Sequence, residues 1–547
     1  MIDTSRRSQQ CLNHRFLVFQ GSVLSPEPRW KAFVGGTLFD GTGRPPTRDS
    51  VVVIEAERIV AVGEPGQVEI PEGTKIIDIT GKTVIPGLID AHLHFLDMGI
   101  RMMRTVDLSQ TKKITEAQEV IMRKLSQTKK GEWILGRGWD DSKWEERRYI
   151  SKWDLDPFSP DNPVVLTRVC GHMITLNSRA MEIAGLTKDT PNPQGGQVDK
   201  SPEGEPTGVL RDAGQLINPF IPEKTAELAR EGLKLANERA LSLGCTGIHD
   251  AWVGEFGIMA YQTAQEEGLL KVRVNLMWRG DLAESIGSIG LQSGFGNEML
   301  RLGPAKILLD GSLGARTAAL YEPYEDDPST KGLTMMTEEE LNEQVRMIHD
   351  QGSQLAIHAI GDYGIDLVIN AIEAALKSSP RKDHRHRIEH CELLSTDQIE
   401  RISRLGIVAS MQPNFVGEWG GPDSLYEARL GKRRLRQNNP FRALLDEGIR
   451  VPFGSDGMPF HPLYGIHSAV NHYIKDSRIS VEEAVKCFTL DAAYSAFEDD
   501  IKGSIEPGKL ADITVLEKDL IEVPKEEIKD VLVSMTMVNG EILYSKD

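Results

Sequence analysis

Apolar and polar residues alternate in short runs at both ends of the chain. Near the N-terminus the runs include "SVVVIEAERIVAVGE" and "KIIDITGKTV", and near the C-terminus "GSIEPGKLADITVLE" and "VLVSMTMVNGEILYS". Gly, Pro and Asp separate them, and this pattern is typical of antiparallel strands joined by tight turns. We therefore expect residues 31–83 and 500–547 to form one small β-sandwich domain built from both chain termini.

Between these ends, short apolar strands alternate with segments that have helical apolar spacing. The predicted strands are "VIPGLIDAHLHF", "CTGIHDA", "VRVNLMW", "AKILLDG", "QLAIHAI", "HRIEHCE", "IVASMQP" and "VPFGSDG". The segment "TEEELNEQVRMIHDQG" is a predicted helix that begins after Thr337 and ends at Gly352. Alternation of this kind indicates an α/β fold, a (β/α)₈ TIM barrel over residues 84–499.

One gap in the strand spacing indicates an insert. The first predicted barrel strand lies near residue 90 and the second near residue 247, so we expect an insert over about 97–243. It would cover the barrel mouth as a lid and one wall of the pocket. Its Trp133, Trp139 and Trp144 either line that pocket or pack the insert's own core, and the core interpretation is favoured.

Composition narrows the classes of partner. Lys and Arg total 63 against 81 Asp and Glu, a net charge of −18, which gives no electrostatic support for binding nucleic acid or an anionic membrane. No apolar run reaches the length of about 18 residues that suggests a membrane-spanning helix. We expect a small-molecule substrate, with a homo-oligomer left open.

Cysteine usage favours a reducing, cytoplasmic location. The five cysteines are widely spaced and form no CxxC motif, which argues against a disulfide framework or a zinc ribbon.

Residues 1–30 are expected to be a disordered leader. The apolar run "FLVFQGSVL" follows Arg6, Arg7 and Arg15, and this order weakly resembles a signal peptide. The run is short, however, and Gln20 interrupts it.

Metal-binding residue types gather where the predicted barrel strands end. Residues at the carboxyl ends of barrel strands converge on one pocket. There the sequence places His92, His94, Lys306, His358, His390 and Asp456. One buried imidazole alone is more often a hydrogen-bonded core residue, but four together without a metal would leave many polar groups in need of partners. The set therefore predicts a metal centre.

Nitrogen and carboxylate ligands suit several divalent metals. Zn²⁺ is the default, with Ni²⁺, Mn²⁺ and Fe²⁺ left open, and one or two ions per chain. Lys306 is the unusual member, because a protonated amine repels a cation. A neutral amine at this position could react with CO₂ to give a carbamate, whose oxygens could bridge two metals.

Taken together, these motifs resemble the amidohydrolase superfamily. The strings "WILGRGWDDSKW", "LLDGSLGARTAALYEPY", "AIHAIGD" and "RIEHCELL" resemble more narrowly amidohydrolase family 3, the YtcJ-like and N-substituted formamide deformylase-like branch. The resemblance runs from about Lys31 to the C-terminus. It implies that His92, His94 and Asp456 hold one metal, that His358 and His390 hold the other, and that carboxylated Lys306 bridges them.

The predicted chemistry is hydrolysis of a non-peptide carbon–nitrogen bond, such as an amide or formamide. A metal lowers the pKa of bound water from about 15.7 toward 7. Asp456 would accept that proton as general base and then protonate the leaving nitrogen. The same site could serve an esterase, lactonase, cyclic amidase or isomerase. A catalytically silent scaffold is a further alternative, which the retained metal-ligand residues argue against.

Other residues are expected around this centre. His172 and Arg316 are candidate substrate-binding residues, the alternatives being a hydrogen-bonded loop histidine and a structural ion pair. Phe415 and Trp419 follow the seventh strand and are expected to line the pocket. Groups that could orient ligand histidines through hydrogen bonds are Asp310, Asp362 and Glu389.

Overall fold

The computed structural model describes residues 29–546. The strands, in chain order, are β1 (Trp30–Leu38), β2 (Thr47–Glu55), β3 (Arg58–Gly63), β4 (Lys75–Asp78), β5 (Thr83–Pro86), β6 (Leu88–Leu93), β7 (Thr105–Asp107), β8 (Ile134–Trp139), β9 (Val164–Arg168), β10 (Met173–Leu176), β11 (Gln197–Lys200), β12 (Pro206–Arg211), β13 (Cys245–Val253), β14 (Arg273–Arg279), β15 (Leu300–Leu308), β16 (Leu355–Ala359), β17 (Arg387–His390), β18 (Val408–Ser410), β19 (Ile513–Leu516), β20 (Val533–Val538) and β21 (Glu541–Ser545). The helices are α1 (Phe95–Arg104), α2 (Ile114–Leu125), α3 (Lys152–Leu155), α4 (Ser178–Ile183), α5 (Ala226–Ser242), α6 (Glu255–Glu266), α7 (Ala283–Ser288), α8 (Glu338–Asp350), α9 (Asp362–Ser378), α10 (Thr396–Leu405), α11 (Pro413–Trp419), α12 (Leu425–Leu435), α13 (Phe441–Asp446), α14 (Pro462–Val470), α15 (Val481–Cys487) and α16 (Leu490–Tyr494).

A parallel sheet of seven strands forms a TIM-like barrel. Its strand order is β6-β13-β14-β15-β16-β17-β18, which is the chain order predicted from the sequence. The eighth predicted strand, "VPFGSDG", makes only one β-bridge, between Met411 and Phe453. It still joins both edges of the sheet, because Met411 N donates to Pro452 O and Ala91 N donates to Phe453 O, each at 3.0 Å. The barrel is therefore nearly closed.

The first barrel strand is shorter than the apolar pattern predicted. In "VIPGLIDAHLHF", β5 pairs with β1 and β19 of another sheet, and only β6 belongs to the barrel. The chain changes sheets at Gly87, whose N–H donates to Asp512 O at 2.8 Å. A Cβ there would lie 2.1 Å from Thr246 Oγ1, so the crossing requires glycine. The chain thus passes from the terminal sheet to the barrel sheet at Gly87.

Both chain ends contribute to one eight-stranded sheet. Its order is β21-β20-β19-β5-β1-β2-β3, with β4 paired to β1. The antiparallel pair β5 and β19 joins the N-terminal strands to the C-terminal ones. Phe33, Ile54, Val84, Ile513 and Met537 are buried together in its apolar cluster. The two terminal segments are therefore held together by hydrogen bonds and by a shared core.

A third sheet occupies the gap between β6 and β13. It contains β7 to β12 in the order β11-β12-β10-β9-β8-β7. Trp139 and Trp144 are fully buried, with ring centroids 5.6 Å apart, and Trp133 packs against another buried cluster. These contacts agree with the core interpretation of the tryptophans.

The helix predicted after Thr337 is present as α8. Thr337 Oγ1 accepts from Glu340 N at 3.2 Å, and the Glu340 carboxylate accepts from Thr337 N at 2.8 Å, a capping box. The helix ends at Asp350, and Gly352 follows with a φ of 82°. Of the predicted leader, residues 1–28 lie outside the described part of the chain, and Trp30 already belongs to β1. Within residues 29–546, no helix is both long enough and apolar enough to cross a membrane.

Candidate metal centre and substrate cavity

The end of β6 brings two imidazoles to the barrel mouth. His92 lies in the strand and His94 directly after it, with ring centroids 6.0 Å apart. The Asp90 carboxylate holds this strand end, because it accepts from His92 N at 3.1 Å and from Ser455 N at 3.0 Å. Asp456 N in turn donates to His92 O at 2.8 Å. These bonds fix Asp456 beside the histidine pair.

Other strand ends complete the cluster. His390, the last residue of β17, has its ring centroid 4.7 Å from that of His92 and 4.4 Å from that of His358 in β16. One ligand atom each of His92, His390 and Asp456 lies within 4.8 Å of the others. His94 Nε2 lies 3.4 Å from Asp456 Oδ1. The structure thus brings together the predicted ligands, and the donor set could hold a divalent metal.

Each of these histidines has one ring nitrogen engaged by an oxygen that can only accept. The Nδ1 atoms of His92 and His94 donate to Glu389 Oε2 at 2.5 Å and to Ala251 O at 2.9 Å. His358 Nε2 donates to Gly311 O at 3.1 Å. The opposite ring nitrogen must then carry the lone pair, which is the form that binds a metal.

His390 is held in the same way, by Gln412 Oε1 at 2.7 Å from its Nδ1. Burial, together with the charge of Lys306, holds the pKa of His92 and of His358 well below the ordinary value. Burial and the neighbouring His358 do the same to the pKa of His390. Neutral imidazoles are therefore the stable form, as metal binding requires.

The hydrogen bond to His92 belongs to a larger buried network inside the barrel. Arg387 Nε donates to Glu389 Oε1 at 2.6 Å, and its Nη2 donates to Glu389 Oε2 at 3.0 Å. Arg387 Nη1 also lies 3.0 Å from His249 Nδ1, and Nη2 donates to Ala91 O at 2.7 Å. The Glu389 carboxylate therefore orients a candidate ligand while it neutralises a buried guanidinium.

The other two carboxylates predicted to orient ligands differ in their surroundings. Asp310 is buried, lies 3.5 Å from His358 Nε2 through Oδ1, and accepts from Ile360 N at 3.0 Å. Asp362 instead accepts from Tyr321 N and from Tyr363 N, each at 3.0 Å, at the start of α9. The structure thus brings Asp310 and Glu389 to the candidate ligand histidines, whereas Asp362 accepts only from backbone N–H groups at the start of α9.

Lys306 is buried in β15 beside the histidine cluster. It is 1% exposed, and its Nζ has no hydrogen-bond partner among the described residues. Burial lowers the pKa of Lys306 to about 8. An unpaired buried amine is costly, so this atom indicates that a further group belongs here.

Strained backbone also marks the centre. His390 has a φ of 71° and Asp456 a φ of 52°, in the left-handed region that side chains other than glycine rarely adopt. Such a conformation costs about 1–3 kcal/mol per residue and persists only where the surroundings enforce it. The fold accepts this cost at two candidate metal ligands.

A cavity opens directly onto His358, His390 and Asp456. Phe415 and Trp419, predicted to line the pocket, both lie in its wall, as does His172. His172 Nδ1 donates to Asp212 Oδ1 at 2.5 Å, which leaves Nε2 for contact with a substrate. Burial opposes protonation, but the Asp212 carboxylate raises the pKa of His172 to about 9.

Arg316 is not among the residues that line this cavity. Its Nη2 and Nε donate to the Asp326 carboxylate at 2.8 and 3.1 Å, and its Nη1 donates to Tyr149 OH at 3.0 Å. The contacts are those of the alternative interpretation, a structural ion pair. A guanidinium already paired with a carboxylate has no free pair of N–H groups with which to bind a substrate carboxylate.

The sequence interpretation missed several residues of the site. Arg387 lies two positions before the predicted Glu389 in β17, so the two side chains share the barrel interior, and this spacing was a usable signal for Arg387. Gln412 and His249 gave no comparable signal, because each becomes relevant only through a partner far away in the chain. Arg168, a buried residue of the cavity wall, was missed for the same reason.

Comparison with known proteins agrees with this geometry. A family model described as the amidohydrolase family matches residues 75–544. The chain belongs to the amidohydrolase family. This membership confirms the resemblance stated from the motifs and the predicted enzyme class, a hydrolase of carbon–nitrogen bonds.

Individual relatives of this amidohydrolase cover most of its length. It is 33% identical to the putative amidohydrolase YtcJ of Bacillus subtilis (strain 168), over 86% of this chain and 91% of that protein. It is 28% identical to N-substituted formamide deformylase of Arthrobacter pascens, over 90% and 95%. A solved structure from Pyrococcus furiosus, described as an uncharacterized metal-dependent hydrolase, matches with a TM-score of 0.69 and 31% identity, over 90% of this chain and 99% of that chain.

Proposed function

We propose that this amidohydrolase hydrolyses a non-peptide carbon–nitrogen bond of a small molecule, an N-substituted amide or formamide, at a divalent metal centre. The observation that carries the proposal is the set of ligand atoms of His92, His390 and Asp456, within 4.8 Å of one another and facing a cavity. The formamide deformylase relative and the metal-dependent hydrolase relative support the substrate class and the metal.

The residues of the site fit the metal that the proposal requires. His92, His94 and Asp456 would hold one cation, and His358 and His390 a second one, with Zn²⁺ the default. Lys306 Nζ has no partner among the described residues, which fits a lysine that would be carboxylated and would help to hold the cations. Bound divalent cations supply Lewis acidity and lower the pKa of water.

The chain's own groups would carry the proton transfers. Asp456 lies in the cavity wall, where a carboxylate oxygen accepts the proton of the attacking water and returns it to the leaving nitrogen. His172 Nε2 donates to the carbonyl oxygen as negative charge develops there, while Asp212 holds the ring by Nδ1. The aromatic wall of Phe415 and Trp419 packs against the apolar part of the substrate and excludes water.

The proposal extends to the setting of the enzyme. The eight-stranded sheet is proposed to be a separate β-sandwich domain and residues 97–243 an insert that covers the barrel. The four cysteines of the described residues are free, which supports a reducing cytoplasm. We propose a small-molecule substrate without a nucleic-acid or membrane partner, in a chain that can form a homo-oligomer.

Metal content by plasma mass spectrometry, with intact mass under gentle conditions, tests the proposal first. Two ions per chain and an added CO₂ on Lys306 are the expected result, followed by release of amine from N-formyl and N-acyl amines but not from matched esters. Turnover of the esters alone would move the assignment to an esterase or lactonase. No metal after reconstitution with bicarbonate would overturn the proposal and favour a silent scaffold.

A further inference from the structure

Arg168 lines the cavity and carries a buried hydrogen-bond donor without a partner among the described residues. It is the last residue of β9, is fully buried, and lies in the cavity wall together with His358, His390 and Asp456. Its Nε donates to Asp141 Oδ1 at 2.7 Å and its Nη2 to Asp140 Oδ1 at 3.0 Å. Its Nη1 has no hydrogen-bond partner among the described residues.

The charge of Arg168 is already balanced. Asp140 and Asp141 are both buried beside it, at 5% and 7% exposure, so two carboxylates face one guanidinium. A further anion at Nη1 would lie close to these carboxylates and be repelled. An uncharged oxygen acceptor meets no such repulsion, and it would pair a donor whose burial is otherwise costly.

The same carboxylate couples Arg168 to the aromatic wall. Asp140 Oδ2 accepts from Trp419 Nε1 at 3.2 Å, and Trp419 lies 5.0 Å from Phe415 between ring centroids. The Phe415 ring is parallel to that of His390, at 6.0 Å between centroids. An apolar surface therefore extends from the candidate metal centre toward Arg168, and Asp140 is hydrogen-bonded to both Arg168 and Trp419.

We propose that Arg168 is a specificity-determining residue, whose Nη1 donates to an uncharged carbonyl or hydroxyl oxygen on the part of the substrate remote from the scissile bond. The aryl or alkyl body between the two ends packs against Phe415 and Trp419. This inference rests on the proposed function, because it names the substrate class of that same site.

Two nearly isosteric probes test the donor in the unaltered enzyme. N-(4-acetylbenzyl)formamide carries a carbonyl oxygen, and N-(4-isopropylbenzyl)formamide has a methyl group in its place. The acetyl probe should have the higher kcat/KM, by about 5- to 150-fold, the range for leaving one buried donor unpaired. The corresponding 3-acetyl and 3-isopropyl isomers place the oxygen or the methyl group at a different distance from the formamide group. Equal kcat/KM values within both isomer pairs would overturn the inference.

Two variants test the Nη1 donor of Arg168 separately from its positive charge. Arg168→Lys keeps a positive charge beside Asp140 and Asp141 but removes Nη1. Gly314→Ala leaves all these groups in place and adds a methyl carbon 3.0 Å from Nη1, which covers it. Each should reduce the acetyl preference to about threefold or less, because the acetyl value falls more than the isopropyl value. Phe415→Leu is the matched control and should lower both probes together.

Binding measurements keep the inference separate from the proposed function. In Asp456→Asn protein loaded with metal, calorimetry should give a lower Kd for the acetyl probe than for the isopropyl probe. A preference in Kd without hydrolysis by the unaltered enzyme would contradict the proposed reaction and support Arg168. Hydrolysis of both probes with equal Kd values would do the opposite. Metal content and thermal unfolding confirm that each variant is folded.

Discussion

The buried carboxylate of Glu389 gives the sharpest test of how the metal centre is held. It accepts from His92 Nδ1 at 2.5 Å and from Arg387 Nε and Nη2 at 2.6 and 3.0 Å. All three side chains are at most 1% exposed. In Glu389→Gln the size is kept, but the amide NH₂ must face one of these donors and Arg387 loses its counter-charge.

The structure sets the magnitudes of two separate effects. Loss of a group that orients a ligand histidine lowers metal affinity by about 10- to 100-fold, or about 1.4–2.8 kcal/mol. Removal of one partner of a buried ion pair costs about 3–5 kcal/mol of folding stability. Arg387 keeps hydrogen bonds to Ala91 O at 2.7 Å and Ser410 Oγ at 2.9 Å, so we expect the lower end, about 3 kcal/mol.

The assay compares zinc affinity, by competition with a chromophoric chelator, and urea unfolding of the metal-free protein. Gln412→Met is the matched control, because it removes the hydrogen bond to His390 Nδ1 without stranding a charge. The control should weaken zinc binding while it changes stability much less than Glu389→Gln does.

Unchanged zinc affinity in folded Glu389→Gln protein would refute the reasoning. It would mean either that His92 is not a ligand or that its ring needs no orientation by the carboxylate. A stability loss without any effect on the metal would reduce Glu389 to a partner of Arg387 only.

Three further predictions concern Asp456, Lys306 and His386. Asp456→Asn should retain the fold but lose nearly all turnover, so substantial residual amine release would exclude Asp456 as the base. Lys306→Met should unfold no earlier than wild type when metal-free, because it removes an unpaired buried amine, yet bind less metal by mass spectrometry. Burial holds the pKa of His386 well below its ordinary value, and its Nε2 lies 2.9 Å from His349 Nδ1. Because the unfolded chain binds a proton that folded His386 does not, the free energy of unfolding falls below about pH 6.5, by up to about 1.4 kcal/mol per pH unit. Urea unfolding between about pH 5 and 7 should show a shallower slope in His386→Gln, and an identical slope would contradict this origin.

Local patterns were sufficient to predict the TIM-like barrel and to point to the candidate ligands that the structure brings together. The alternation of apolar strands with helices predicted the parallel sheet, and its order is the chain order. The spacing of His92 and His94 placed both at one strand end. His358, His390 and Asp456 joined them because a barrel collects its strand ends on one face.

Elsewhere, the role of a segment or residue depended on contacts that local patterns do not reveal. The run Val84–Ile89 is predicted as one strand, but its first half pairs with strands of the terminal sheet. Arg316 is predicted to bind a substrate or to form a structural ion pair, and its guanidinium is paired with Asp326, ten residues away. In both cases the sequence shows the apolar or charged character of the residues, but the strand or side chain with which they pair determines their role.

The sequence by itself therefore determined the barrel, the metal-binding residue types and the family, because periodicity and residue chemistry are local properties of the chain. Only the tertiary structure decided which ring nitrogens are engaged, that Glu389 is shared between His92 and Arg387, and that Arg168 reaches the cavity. These features depend on distances between side chains far apart in sequence, and such distances are set by the packing of sheets against one another, to which no local pattern is sensitive.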